Sequence, residues 1–152
     1  MNKFNSNYKD SSSTSVGLSF IKVYNLWHRS IKKELGSLNL THPQFVVLSS
    51  LGYLSQSNEE ITQISISKLA DIDAMTISTI IKNLEKSKLV VRQESKNDTR
   101  AKSVKLTNEG QLILNKALPI VEEIDINFFG ALKSDKELFN TFLITLVEKN
   151  LE

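Results

Sequence analysis

Between Thr62 and Ser87 the sequence holds two short amphipathic stretches with only a tight turn between them, and this constrains the fold more than any other feature. Thr62 can cap a helix over 63–71 with Ile66, Leu69 and Ala70 facing inward, and Asp73 can cap a second helix to about Ser87. The second carries Ile77, Ile80, Ile81 and Leu84, an i, i+3, i+4, i+7 stripe. Two helices joined by so short a turn must cross steeply, which is the helix-turn-helix pattern. The period then changes. LVVRQE and KSVKL are β-type runs separated by SKNDTRA, with Val104 and Leu106 on one face and Ser103 and Lys105 on the other, and they predict a β-hairpin.

Helices flank this unit. Residues 1–14 are rich in Asn, Ser and Lys and read as a flexible tail. From Ser15 to Leu35 apolar residues recur at helical spacing but cover more than one narrow stripe, so that helix is wanted on two sides. Thr41, Pro43 and Gln44 make a capping-box start for a helix carrying Phe45, Val47, Leu48, Leu51 and Leu54. After the hairpin, Thr107 caps a long helix through Leu112, Leu114, Leu118, Val121, Ile124 and Phe129, closed by Gly130, with a kink predicted near 115–118 ahead of Pro119. A final helix carries Leu138, Phe139, Phe142, Leu143, Leu146 and Val147, with Asp135 and Glu137 near its positive end. The expected fold class is mainly α with a small β-hairpin wing. Residues 15–152 form one domain in this reading, 41–106 being the helix-turn-helix lobe and 15–40 with 107–152 the helices around it. Over-apolar first and last helices call for a second copy of the chain, since a lone subunit would leave those faces wet.

Composition narrows the function. The 152 residues, 40% of them hydrophobic, suffice for one core without staples, and no Cys is present to make disulfides, thiolate nucleophiles or thiol redox sensors. The only histidines, His28 and His42, make no metal-binding pattern, and neither GxGxxG nor GxxxxGK[ST] occurs. With no nucleophile–base constellation either, the chain is not expected to be an enzyme or to hold a cofactor or metal. The opening MNKFNSNYKDSSSTS lacks the apolar stretch of an export signal, and no run approaches the ~20 apolar residues that span a bilayer, so a soluble cytoplasmic protein without membrane contact is expected.

Charge is polarised along the chain. The net charge is only +2, yet the stretch from Lys82 to Lys105 holds eight basic residues against three acidic ones, which leaves the remainder net negative. A cluster of this size alone favours a solvated basic face; its coincidence with the second helix and the hairpin reverses that and points to double-stranded DNA. At about 100° per residue, the side of that helix opposite its apolar stripe presents Met75, Thr79, Lys82 and Lys86, flanked by Thr76, Ser78 and Asn83. Short polar groups there can bond base edges or phosphates, Met75 can meet a thymine methyl, and the lysines can neutralise phosphates. At the hairpin tip Asp98 can brace Arg100, with Lys96 and Lys102 beside them, so that the guanidinium enters a minor groove.

LTHPQFVVL, IDAMTISTIIKNLEKSKLVVR and NDTRAKSVKLTNEG together resemble the MarR family of winged-helix regulators, over roughly Val16 to Phe129. The most specific part is Asp98-x-Arg100 followed by Leu106-Thr107 and Gly110. The resemblance implies a winged helix-turn-helix with N- and C-terminal dimerisation helices, acting as a homodimeric repressor of a palindromic operator that a small aromatic or lipophilic effector releases. It places a ligand pocket where the dimer helices meet the winged lobe, with Tyr24, Trp27, His28 and Phe45 as candidate linings. Lys88 stands where relatives commonly have Gly; a left-handed Lys costs about 1 kcal/mol or less, so the position is either left-handed at that cost or the turn is altered. The alternative function is a protein-interaction module on the same scaffold.

Overall fold

The computed structural model describes residues 5–57, 59–95 and 102–151. Its helices are α1 (Val16–Gly36), α2 (His42–Leu54), α3 (Gln63–Ala70), α4 (Ala74–Lys86), α5 (Asn108–Phe129) and α6 (Lys136–Asn150), and strands β1 (Val90–Glu94) and β2 (Lys102–Leu106) lie between α4 and α5. Ser12–Thr14 forms a 3₁₀ turn ahead of α1.

Helix starts follow local chemistry. Ser15, Thr41, Thr62, Asp73 and Thr107 each accept an amide of the first turn, and at Thr41 the Gln44 side chain returns the bond to complete a capping box. α2 is the central beam. It buries Phe45, Val47, Leu48 and Leu51, and packs against α3, α4, α5 and β2. Around it Ile31 and Leu35 of α1, Ile66 of α3, the Ile77, Ile80, Ile81 and Leu84 stripe of α4, Val90, Val104 and Leu114 make one core. Leu69, expected inside, is instead 45% exposed: on a helix of only two turns Ile66 and Ala70 take the core side and Leu69 falls at its edge.

The strands pair antiparallel with Val90 opposite Leu106 and Glu94 opposite Lys102. The far edge of β2 is occupied too, because the Val104 amide donates to Ile61 O and Thr62 bridges Ser103. This third strand segment changes one expectation. Ser103, on the face it shares with the exposed Lys105, is only 3% exposed, and its hydroxyl lies 3.5 Å from Gln93 O. Beside it Ser95 is buried with its hydroxyl donating to Glu60.

Lys88 is left-handed, with φ of 60°, so the turn keeps the conformation that a glycine would favour. Leu89 N returns to Leu84 O at 2.9 Å across it, closing α4 and aiming the chain into β1. The Thr107 amide donates to Leu89 O and its hydroxyl to Lys88 O, so the start of α5 is bolted to the same turn. Gly110 completes the junction: a Cβ there would lie 1.9 Å from the Leu89 carbonyl oxygen. α5 runs on as one helix through Pro119, which offers no amide to the Asn115 carbonyl. It ends at Phe129, and Gly130, with a right-handed φ of −60°, opens a 3₁₀ turn to Asp135 that leads into α6.

Gly110→Ala should therefore lower the stability by at least about 1–3 kcal/mol, seen as a lower urea midpoint at unchanged slope. A midpoint equal to the wild type would show that the α5–Leu89 approach is not constrained.

Candidate nucleic-acid interface

α4 carries its functional face because its other face is committed to the core. With Ile77, Ile80, Ile81 and Leu84 buried, Met75, Thr76, Thr79, Lys82, Asn83 and Lys86 are exposed, Met75 to 83%, and Ser78 is half-buried at the margin. The hydroxyl protons have local tasks. Thr76 Oγ1 donates to Asp73 Oδ2 at 2.6 Å and Thr79 Oγ1 to Met75 O at 3.1 Å, so outward these threonines offer lone pairs and methyl groups. Thr76 is thereby part of the helix cap, and its hydroxyl and amide hold the Asp73 carboxyl below its ordinary range.

One ion pair ties the recognition helix to the wing. Arg92 of β1 reaches Glu85 Oε2 through Nη2 at 2.6 Å and Nε at 3.0 Å. That bonding lowers the Glu85 pKa. Lys82, Lys86, Lys88, Lys102 and Lys105 are exposed and, among the described residues, pair with no carboxylate, so α4, the turn after it and β2 carry free positive charge. Lys96, Asp98 and Arg100, and with them the brace expected at the hairpin tip, lie outside the described residues.

The candidate pocket residues separate into three environments. Tyr24 and Trp27 line an apolar cavity of about 220 Å³ with Phe20, Val23, Phe129, Phe139 and Leu143, between α1, α5 and the start of α6. His28 turns away to His42, with the two Nδ1 atoms 2.9 Å apart. Phe45 is buried in the core and does not line that cavity. Trp27 Nε1 donates to Asp125 Oδ1 at 2.7 Å, fixing α1 against α5. Asp125 and the Glu85–Arg92 pair were not singled out in sequence, and His42 and Phe129 were named there without a part in this site; Trp27 and Asp125 stand 98 positions apart, and no local period reports such a pairing. Among the described residues, no helix is long and apolar enough to cross a membrane.

The description "ArnR1-like, winged-helix domain" fits residues 36–124, which hold α2 to β2 and most of α5. An uncharacterised HTH-type transcriptional regulator of Bacillus subtilis, YdcH, is 35% identical over 118 residues, 78% of this chain and 80% of the relative. A mutant MarR from E. coli, crystallised with operator DNA, superposes with a TM-score of 0.76 at 24% identity, covering 87% of this chain and 92% of its own. This chain belongs to the ArnR1-like winged-helix family of HTH-type transcriptional regulators, and its fold is that of MarR. It is a DNA-binding regulator, and neither its family nor its fold is that of an enzyme. Among MarR-type folds it is also similar to BpsR of Bordetella bronchiseptica, with a TM-score of 0.78, 24% identity and coverage of 90% and 95%; that structure addresses regulation of BpsR DNA binding by 6-hydroxynicotinic acid.

The lowered Asp73 and Glu85 values set a pH dependence. A carboxylate whose folded pKa is depressed stabilises fully above its unfolded value and loses that contribution as pH falls through the folded one. The urea midpoint should fall on acidification below the ordinary values of 3.8 and 4.5. Glu85→Gln should flatten that fall, and adding Arg92→Gln to it should change little more. A full additive loss in the double variant would deny the pair.

Proposed function

We propose that this regulator is a homodimeric repressor that reads a palindromic operator with two α4 helices and is released by a small aromatic or lipophilic ligand. The observation that carries the reading is the single exposed face of α4, where Met75, Thr79, Lys82, Asn83 and Lys86 stand opposite a fully buried isoleucine–leucine stripe. Met75, Thr79 and Asn83 meet base edges in the major groove, and Lys82, Lys86 and Lys102 neutralise phosphates. Arg100, braced by Asp98 and accompanied by Lys96, enters the adjacent minor groove, where it responds to groove width.

Dimerisation is supported by what the single chain leaves bare. α6 buries none of its residues, with Leu138, Phe142, Leu146 and Val147 each more than half exposed, and α1 shows Val16, Phe20 and Leu26 in the same way. In this reading 15–40 and 107–152 clasp their counterparts, while 41–106 of each copy is the reading lobe. Twofold symmetry then sets half-site centres about 34–36 Å apart. The effector reading is supported by the aromatic cavity of Tyr24, Trp27, Phe129 and Phe139, which lies beside the helices that join the two parts.

Mobility shifts with DNA from upstream of the protein's own coding sequence test the reading. Thr79→Ala and Arg100→Ala should weaken binding and relax sequence preference, by about 1–3 kcal/mol where a base contact is lost. Lys82→Ala should reduce the salt slope by roughly 2, one phosphate from each copy, with preference kept. Unchanged affinity and preference in all three would refute the assigned roles and favour a protein partner. Phe142→Glu should sediment as a monomer at concentrations where the wild type is a dimer; an unaltered dimer would place the interface elsewhere.

A further inference from the structure

We propose that His28 and His42 form a proton-operated latch between α1 and the DNA-reading lobe, whose double protonation loosens the α1–α2 contact and weakens DNA binding. The inference rests on the DNA-reading role of α4 and adds a site that senses acidity.

The geometry defines the states. With the Nδ1 atoms 2.9 Å apart, the pair is bonded when one Nδ1 carries a proton and the other a lone pair. A first extra proton goes to the outer Nε2 of the donor ring and leaves the bond intact. A second must put N–H on both Nδ1 atoms, and the two cations then face each other without a bond. Tyr24 stacks on His28 at 5.3 Å and 11°, and the Trp27 ring meets His42 edge-on at 5.2 Å.

The charged groups acting on His42 are few. His28 faces it from α1 and Asp125 acts from α5, while α2 itself adds only Tyr53 at its other end. Burial, then the His28 charge, lower the His42 pKa, with Asp125 opposing them. A histidine harder to protonate in the folded state than in the open chain loses its stabilising contribution as pH falls below 6.5. No other histidine exists in the chain to confuse the response.

Position turns a local break into a functional one. His28 lies one turn before Ile31 and two before Leu35, the only buried anchors of α1, and His42 is the first residue of α2. α2 packs directly against α3 and α4, so a shift at its start displaces the reading helix relative to α1. Trp27, held by Asp125, keeps α1 fixed to α5 meanwhile, so the change is concentrated at the start of α2.

Anisotropy of a labelled duplex from upstream of the coding sequence, at about pH 7.5 and about pH 5.5, tests the latch. The wild type should lose affinity roughly tenfold on acidification, whereas His28→Gln and His42→Gln, whose amides cannot take a proton in this range, should change by less than about twofold. Equal acid sensitivity in all three overturns the proposal. Ring NMR of the wild type needs no variant to fold: two coupled steps are expected, and two independent titrations at the ordinary value overturn it. Absence of binding at about pH 7.5 would count against the DNA reading instead. Hydrogen-exchange protection over 42–45 then decides the latch, and protection unchanged between the two pH values overturns it.

Discussion

The structure depends on a tight crossing of backbone at Lys88 and Leu89, where the recognition helix ends, the wing begins and α5 is attached. The Leu89 amide closes α4 while its carbonyl accepts from Thr107, and the Lys88 carbonyl accepts the Thr107 hydroxyl. Three elements thus share two consecutive residues, which is possible only because Gly110 brings no side chain into the gap. The Glu85–Arg92 pair adds a second tie on the outer side of the same turn. The orientation of the reading face relative to the wing is therefore set by covalent and hydrogen-bonded geometry rather than by soft side-chain packing.

The molecule divides its apolar residues between two tasks. α2, α3, α4 and the strands bury their stripes against one another and against one side of α1 and α5, whereas α6 and the outer side of α1 keep large side chains such as Phe20 and Phe142 in contact with solvent. The histidine pair and the Trp27–Asp125 bond lie where α1 meets α2 and α5, between the buried core and the exposed apolar faces.

Much of this was legible in sequence wherever a local rule applied. The caps at Thr41, Thr62, Asp73 and Thr107, the Ile77-to-Leu84 stripe and the outward row from Met75 to Lys86 depend on residues within a few turns of each other. What escaped was set by distant segments. Strand alternation put Ser103 on the same face as Lys105 without showing that the 61–62 segment covers that edge of β2 and buries Ser103 alone of the two. Leu69 was placed inward by helical period, but α3 is too short for its whole stripe to find neighbours. The two histidines, 14 positions apart, belong to different helices, and only the way α1 crosses α2 brings their rings together.

Thr62 has two employments, since it caps α3 with its hydroxyl and bridges Ser103 with its backbone. The first helix of the helix-turn-helix and the second strand of the wing are in consequence hinged on one residue, and neither can tilt without carrying the other. If α4 and the hairpin both meet a duplex as proposed, the spacing between those two contacts has little freedom to adjust. Discrimination among near-matching targets then falls to the nucleic acid, which must itself bend or narrow to satisfy a stiff gauge.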